Sequence, residues 1–254
     1  MTIFFLFCLL FIWVRYDIGL KLHLVFRDPR TAQYLERTQK KTGRLIFSLV
    51  QTLTGFRIEV EPFRGRLPSP VIIVTNHQSL ADIPVLVYAL PRLAIRFVTK
   101  RELGRGIPMV SSYLRVGGSA LISRRGNFAR VIRELGKLAR RSALGISPVV
   151  FPEGTRSRTG RLGPFHTGAF RTLCENATLP VLVVAMDGGW SISRLSGVFT
   201  KLNATRYRVK PLALYPHPEG KKEIGDLLEK ARRDIDDQLS RWRGPVRPGQ
   251  AAHA

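Results

Sequence analysis

The chain has 254 residues, enough for one substantial core, and nothing in its composition demands a second. Its 41 lysines and arginines against 18 acidic residues give a formal charge of +23, which indicates a polyanionic partner, either nucleic acid or an anionic membrane surface. The two cysteines, Cys8 and Cys174, have no CxxC spacing, so the sequence predicts neither a disulfide framework nor a zinc site and fits an intracellular compartment.

The amino-terminal segment is apolar and then basic. Its first 14 residues, MTIFFLFCLLFIWV, carry no charge, are shorter than the roughly 18 to 20 residues that span a bilayer, and lack the flanks of a signal peptide. Residues 15–30 mix apolar and basic side chains, and 31–56 show a helical apolar stripe. We predict that residues 1–56 form a two-helix anchor at the membrane interface; the alternative is one spanning helix followed by an ordinary soluble helix.

This apolar start also decides which polyanion the chain is expected to meet. A basic nucleic-acid binder has no use for such a segment, and no nucleic-acid-binding motif occurs along the chain. We therefore expect contact with the lipids of an anionic bilayer surface and no contact with nucleic acid.

From about Val71, short apolar runs alternate with segments of helical periodicity, which predicts an α/β fold. Asn127 is a candidate amino-terminal cap for a helix predicted over residues 128–141. Residues 57–242 are predicted to form one α/β domain, and 243–254 a disordered tail. The predicted strands are 71–75, 95–100, 119–124, 147–151, 179–186 and 207–215, and the predicted helices are 80–90, 128–141, 167–177 and 222–242.

The stretch NHQSLAD after the first predicted strand places His77 and Asp82 five residues apart. Neither a helix nor a strand brings residues at that spacing together. If the strand ends near Thr75 and a helix begins around Ser79 or Leu80, the turn folds the imidazole over the helix start, where the carboxylate accepts a hydrogen bond from one ring nitrogen. The other nitrogen is then free to act as a base. Taken alone, such a pair is more often the decoration of a surface turn.

A second polar cluster, FPEGTRSRTG, follows the strand SPVVF directly. Gly154 allows close backbone approach, Thr155 offers a hydroxyl, and Arg156 provides a planar fork suited to phosphate. Taken alone, it equally fits a polar turn with a solvated ion pair. Lys100 and Arg124 close two further predicted strands, and strand ends at one edge of a sheet converge in space.

In this order, NHQSLAD, GSALISR, FPEGTRS and LPVLVVAM resemble the four sequence blocks of the glycerolipid acyltransferase family, whose bacterial archetype is 1-acyl-sn-glycerol-3-phosphate acyltransferase. The first block matches the pattern of a histidine and an aspartate with four residues between them, and the third matches residue for residue. The blocks cover roughly Val71 to Met186. The sequence KREL and the apolar amino-terminal helices are also similar to features of bacterial members. The resemblance implies an α/β fold with a mixed sheet flanked by helices and a two-helix membrane anchor.

The same resemblance implies a reaction. A fatty acyl group moves from acyl-CoA or acyl carrier protein to the free hydroxyl of a lysophospholipid, here the sn-2 hydroxyl of lysophosphatidic acid, giving phosphatidic acid. His77 would act as the general base and Asp82 would orient it, with backbone amides near His77 as candidate oxyanion donors. The acceptor's phosphate and glycerol would contact Lys100, Arg124, Glu153, Gly154, Thr155 and Arg156.

The implied reaction needs neither a metal nor a further cofactor. The implied location is the cytoplasmic face of the inner membrane, where acyl donors are found. Leu121 stands where the family usually has Phe, and MDGG replaces a polar Asn-Ser-Gly type of sequence after the fourth block, which leaves the acceptor preference open. The alternatives are another acceptor, such as a lyso-ornithine lipid, another lysophospholipid or glycerol 3-phosphate, and a basic membrane- or nucleic-acid-binding protein without catalysis.

Overall fold

The computed structural model describes residues 2–107, 110–123, 127–193 and 202–244. Within these ranges the chain forms one seven-stranded sheet, helices on both of its faces and an amino-terminal helical hairpin. The strands are β1 (Arg57–Val60), β2 (Ile72–Thr75), β3 (Ala94–Lys100), β4 (Ala120–Ile122), β5 (Ile146–Val150), β6 (Val181–Asp187) and β7 (Arg206–Tyr215). The α-helices are α1 (Thr2–Val25), α2 (Thr31–Thr54), α3 (Asp82–Ala89), α4 (Val110–Val116), α5 (Phe128–Arg140), α6 (Thr167–Asn176) and α7 (Gly220–Arg243).

The sheet is mixed, with the strand order β1-β7-β6-β2-β5-β3-β4. Neighbouring strands run parallel except β6 and β7, which run antiparallel. The predicted α/β fold with a mixed sheet is therefore confirmed. Because β2 to β6 all point the same way, their carboxyl ends share one edge, which we call the carboxyl edge. The amino-terminal end of β7 lies at this edge too, since β7 runs the other way.

The sheet is covered on both faces, and this explains its continuous apolar strands. All four residues of β2 are buried, as expected for a parallel strand between two helical layers. Successive side chains alternate between the layers: Ile73 packs in the core cluster that contains residues of α2 and α3, whereas Ile72 and Val74 pack in the cluster that contains residues of α5, α6 and α7.

The predicted elements from residue 71 onward are present with small shifts at their ends. Asn127 caps α5, since its side-chain oxygen accepts hydrogen bonds from the amides of Ala129 (2.8 Å) and Arg130 (3.4 Å). The sequence pattern did not predict β1, a four-residue strand whose side chains are mostly exposed, or the short α4. Helix α7 reaches Arg243, one residue into the predicted tail, and residues 245–254 of that tail lie outside the described part of the chain.

The two helices predicted for residues 1–56 are present as α1 and α2. None of the helices in the described ranges has both the length and the hydropathy of a membrane span. The predicted membrane contact stays a prediction. Helix α1 nevertheless exposes a series of large apolar side chains: Phe7, Leu10, Phe11, Val14, Ile18, Leu22, Leu24 and Val25.

Polar contacts fix this hairpin to the α/β domain. The buried Arg96 of β3 donates to Glu36 of α2, and Ser112 of α4 donates to the buried Asp17 of α1. Leu20 and Leu35 pack against α4 in a small apolar cluster of their own. The hairpin is therefore part of the folded unit and has a defined orientation relative to the sheet.

Candidate active site

The candidate site lies at the carboxyl edge, where polar residues follow two adjacent central strands. His77 comes two residues after β2, and Glu153 comes three residues after β5. The strands pair directly, with Val74 opposite Val150. This adjacency brings together two sequence blocks that are more than 70 residues apart.

His77 and Asp82 are in direct contact. The Nδ1 atom of His77 lies 2.5 Å from Oδ2 of Asp82, and Asp82 is fully buried as the first residue of α3. The same oxygen accepts hydrogen bonds from the amides of Gln78 (2.6 Å) and Ser79 (3.1 Å). The predicted geometry, with the histidine outside the helix and the aspartate inside it, is thus present, although α3 starts two to three residues later than predicted.

The contact with Asp82 defines what the imidazole presents to the site. Because the carboxylate accepts at Nδ1, the neutral ring carries its proton there and leaves Nε2 as an acceptor. The described residues place no hydrogen-bond partner at Nε2, and the side chain is 16% exposed. Phe151 stacks on the ring with centroids 4.2 Å apart, which fixes its plane. This arrangement leaves one ring nitrogen available to accept a proton from a group that reaches it.

Glu153 braces the loop that carries His77. Its Oε1 accepts a hydrogen bond from the His77 amide (2.8 Å), and its Oε2 accepts one from the Gly163 amide (3.0 Å). Burial raises the pKa of Glu153 above its ordinary value of 4.5, while the hydrogen bonds from His77 and Gly163 act in the opposite direction. Both oxygens of this predicted acceptor-binding residue therefore face the protein backbone.

The rest of the FPEGTRS loop is held next to His77 but faces outward. The amide of Ser157 donates to the carbonyl of His77 (2.8 Å), so the loop is tied to the histidine on both sides of Thr155 and Arg156. Both of these side chains are exposed, and within the described ranges the guanidinium of Arg156 has no hydrogen-bond or ion-pair partner. Gly154 has a φ of 63°, a left-handed conformation that favours glycine.

The two remaining predicted binding residues are less closely placed. Lys100 is exposed at the carboxyl end of β3, which β5 separates from β2, so this lysine stands about 10 Å from the β2 axis at the spacing of two strands. Arg124 lies outside the described residues. The contacts of both residues with an acceptor stay predictions.

The site contains a second layer that local sequence patterns did not reveal. Gln78 donates through Nε2 to Asp187 at the end of β6 (3.2 Å). Arg243, the last residue of α7, donates to both oxygens of Asp187 (2.9 and 2.6 Å) and also to the Gly160 carbonyl (2.9 Å). The aspartate of the divergent MDGG sequence thus ties the first block to the carboxyl-terminal helix. Its only signal in the sequence was the departure from the family pattern.

Tyr207 of β7 completes the surroundings of Asp82. Its hydroxyl donates a hydrogen bond to Oδ1, the carboxylate oxygen that does not face His77. The amides of His77, Gln78 and Ser79 already donate to Glu153 and Asp82, so these three are not free to serve as oxyanion donors; a donor elsewhere at the start of α3 stays a prediction.

Comparison with a family model shows the family to which the chain belongs. The family model described as "Acyltransferase" matches residues 57–187, just over half of the chain, so the chain belongs to the acyltransferase family. The matched region runs from β1 to the end of β6 and contains both His77 and the FPEGTRS loop.

Individual relatives show which kind of acyltransferase the chain resembles. The chain is 35% identical over 133 residues to the 1-acyl-sn-glycerol-3-phosphate acyltransferase beta of Homo sapiens, covering 51% of this chain and 46% of that protein. It is 27% identical over 209 residues to the Haemophilus influenzae 1-acyl-sn-glycerol-3-phosphate acyltransferase, covering 77% of this chain and 82% of that one. The chain thus spans about half the length of some of the curated relatives that it matches.

A solved structure shares the fold. The crystal structure of the 1-acyl-sn-glycerophosphate (LPA) acyltransferase, PlsC, from Thermotoga maritima is similar with a TM-score of 0.74, over 97% of this chain and 96% of that one, at 22% sequence identity. The likeness includes the amino-terminal hairpin, since the alignment covers nearly all of both chains.

Proposed function

We propose that the protein transfers a fatty acyl group from acyl-CoA or acyl carrier protein to the sn-2 hydroxyl of lysophosphatidic acid, giving phosphatidic acid. The observation that carries the proposal is the His77–Asp82 contact of 2.5 Å, which leaves Nε2 without a hydrogen-bond partner among the described residues, next to the FPEGTRS loop with its exposed Arg156. The human and Haemophilus influenzae relatives are both 1-acyl-sn-glycerol-3-phosphate acyltransferases by name, which supports the same acceptor.

In the proposed step, Nε2 of His77 removes the proton from the acceptor hydroxyl while the oxygen of that hydroxyl attacks the thioester carbonyl carbon. The tetrahedral intermediate collapses with cleavage of the carbon–sulfur bond, and the thiol leaves with the proton that His77 had taken. Asp82 stabilises the imidazolium that exists between these two proton transfers. Because the hydroxyl is itself the nucleophile, the protein needs no serine or cysteine nucleophile, and the proposed reaction needs no metal or cofactor.

The FPEGTRS loop supplies the proposed phosphate contact. The exposed Arg156 has a planar fork that matches two phosphate oxygens, and Thr155 beside it offers a hydroxyl. Its neighbours Glu153 and Ser157 are bonded to the His77 backbone, so a phosphate bound here lies at a fixed position relative to the base. We assign Glu153 the role of holding the loop and not of contacting the acceptor.

Substrate and product of this reaction reside in a bilayer, and the hairpin supports a membrane location. Helix α1 exposes apolar side chains, and the chain as a whole has a formal net charge of +23. Each Lys or Arg near an anionic surface contributes on the order of 1 kcal/mol of attraction. We propose that the hairpin lies in the interface on the cytoplasmic face of the inner membrane, where it holds the carboxyl edge at headgroup depth.

The test is an acyl-transfer assay with purified full-length protein, labelled acyl-CoA or acyl carrier protein, and a panel of acceptors. We expect consumption of lysophosphatidic acid in preference to glycerol 3-phosphate, lyso-ornithine lipid and other lysophospholipids. His77→Ala should lower the rate by about 100 to 10,000 fold and leave vesicle binding intact. Preference for another acceptor corrects the substrate, while vesicle binding without any transfer refutes the proposed activity.

A further inference from the structure

Tyr207 is a buried phenol in direct contact with Asp82, the partner of the proposed base His77. It lies at the amino-terminal end of β7, has no exposed surface, and donates its hydroxyl hydrogen bond to Oδ1 of Asp82. We propose that Tyr207 is a positioning residue that holds the Asp82 carboxylate in the orientation that His77 needs. This inference rests on the proposed acyl transfer, because it assigns Tyr207 a part in that reaction.

The hydrogen bonds of Asp82 divide between its two oxygens. His77 and the amides of Gln78 and Ser79 engage Oδ2, whereas Tyr207 engages Oδ1. Rotation about the Cβ–Cγ bond moves both oxygens together, so partners at both oxygens restrict it more than partners at Oδ2 alone. Tyr207 therefore adds the contact at Oδ1 that restricts this rotation further and keeps Oδ2 directed at the imidazole.

The direction of the hydrogen bond is determined by the chemistry of the phenol. Burial raises the pKa of Tyr207 well above its ordinary value of 10, and the neighbouring Asp82 raises it further. The phenol thus stays protonated, and a protonated phenol beside a carboxylate is a donor. Without this donor, Oδ1 would be an unpaired charged oxygen in the interior, which is costly.

Gly189 leaves the space in which this contact forms. A Cβ atom on residue 189 would lie 2.5 Å from the Tyr207 hydroxyl oxygen and 3.0 Å from Oδ1 of Asp82, too close to both. Residue 189 ends the divergent MDGG sequence, whose function the local pattern left open. The small residue there is explained by the approach of phenol and carboxylate.

The fold brings these residues together from distant parts of the chain. Tyr207 and Asp82 are 125 residues apart in sequence. Strand β7 pairs antiparallel with β6, so that Arg208 lies opposite Asp187, and the start of β7 reaches the carboxyl edge beside the site. The contact therefore depends on the single antiparallel pairing among the described strand pairs.

A buried phenol with a satisfied hydroxyl can also be a purely structural feature, so the test needs a matched control. Tyr113 is similarly buried, and its hydroxyl donates to the Ile95 carbonyl (2.7 Å) and accepts from Arg96 (2.8 Å), away from His77. Tyr113→Phe removes a buried hydroxyl of the same kind. We expect it to lower the thermal midpoint without changing kcat.

The experiment measures kcat and acceptor KM for Tyr207→Phe, Gly189→Ala and Tyr113→Phe. We expect Tyr207→Phe to lower kcat by about 10 to 100 fold with acceptor KM changed less than about twofold, since misplacing a reacting group by roughly 1 Å costs up to about 100 fold. Gly189→Ala should act in the same direction, and the double variant should lose less than the product of the single effects. An unchanged kcat in Tyr207→Phe, or an equal loss in Tyr113→Phe, overturns the inference.

A second readout separates this inference from the proposed function. We expect the proton on Nδ1 of His77 to give a downfield NMR resonance that reports its hydrogen bond to Asp82. Its position should change in Tyr207→Phe and stay fixed in Tyr113→Phe. If the wild-type protein transfers no acyl group, the proposed function fails, and a resonance unchanged in Tyr207→Phe separately refutes the positioning role.

Discussion

The backbone amide of His77 donates a hydrogen bond of 2.8 Å to Oε1 of Glu153. The other oxygen of this buried carboxylate accepts from the amide of Gly163, 3.0 Å away. Glu153 thereby joins the turn after β2 to the long loop after β5. A glutamate in the FPEGTRS block is needed here because it offers two acceptor oxygens to two backbone donors.

We predict that Glu153→Gln destabilises the protein by about 1 to 3 kcal/mol. An amide side chain has only one acceptor oxygen, so its NH₂ group would face one of the two backbone N–H groups and leave it unpaired. Urea unfolding of the variant and the wild type measures the change. Glu175→Gln, at an exposed i,i+4 pair with Arg171, is the matched control and should change stability by less than about 0.5 kcal/mol. A loss no greater than that of the control would contradict the role of Glu153.

The same variant should change the pH dependence of stability. Because burial raises the pKa of Glu153 in the folded state, the folded protein binds this proton more tightly than the unfolded chain. The part of the stability that depends on this proton is complete below the unfolded value near 4.5 and is lost as the pH rises through the folded value, whereas the two hydrogen bonds from the backbone amides persist above it. We expect the stability difference between wild type and Glu153→Gln to be largest at and below pH 4.5 and to shrink, near pH 7, to about 1 to 3 kcal/mol, the contribution of the lost backbone hydrogen bond. A stability difference that grows with pH between 4.5 and 7 would contradict a raised pKa of Glu153 in the folded protein.

How much of this site the sequence predicts depends on the range of each contact. The His77–Asp82 contact was predictable because a strand, a turn and a helix follow one another within seven residues. The sheet order was not, and the partners Asp187, Arg243 and Tyr207 lie 56 to 125 residues from the groups they contact. Glu153 was predicted to face the acceptor, because nothing local in FPEGTRS shows that two backbone amides lie on either side of it.

Asp82→Asn tests whether Asp82 acts through its charge. The amide oxygen can accept from Gln78 and Ser79 as Oδ2 does, and the NH₂ group can donate to the Tyr207 oxygen, so the fold should persist. What is lost is the negative charge that stabilises the imidazolium. We expect kcat to fall by about 100 to 10,000 fold with a thermal midpoint within a few degrees of wild type. A fall in kcat of less than about fivefold would show that Asp82 acts by orienting His77 and not through its charge.

Arg156→Ala tests the proposed phosphate contact. The side chain is exposed, so its removal should change stability by less than about 0.5 kcal/mol. We expect the KM for a phosphate-bearing acceptor to rise by about tenfold or more, and Arg156→Lys to lie between wild type and alanine, since lysine keeps the charge without the fork. Arg158→Ala, two residues further along the same exposed loop, is the control. Equal effects at both positions would indicate a general electrostatic attraction and not a phosphate site at Arg156.

Glu36→Gln tests whether the hairpin is held to the domain by its ion pair with Arg96. The guanidinium of Arg96 is buried and also donates to the carbonyls of Ile95 (2.7 Å) and Gly117 (2.8 Å), so Glu36 supplies its countercharge. Removing that charge leaves a buried cation without a partner charge. Since the Glu36 side chain is 26% exposed, the cost should be about 1 to 3 kcal/mol, below that of a fully buried pair.

For Glu36→Gln we expect faster amide hydrogen exchange in α1 and α2 with unchanged protection in β2, β5 and β6. Acceleration spread evenly over the sheet would mean that the hairpin and the domain unfold as one unit, and an unchanged rate in the hairpin would show that its apolar packing holds it without the ion pair.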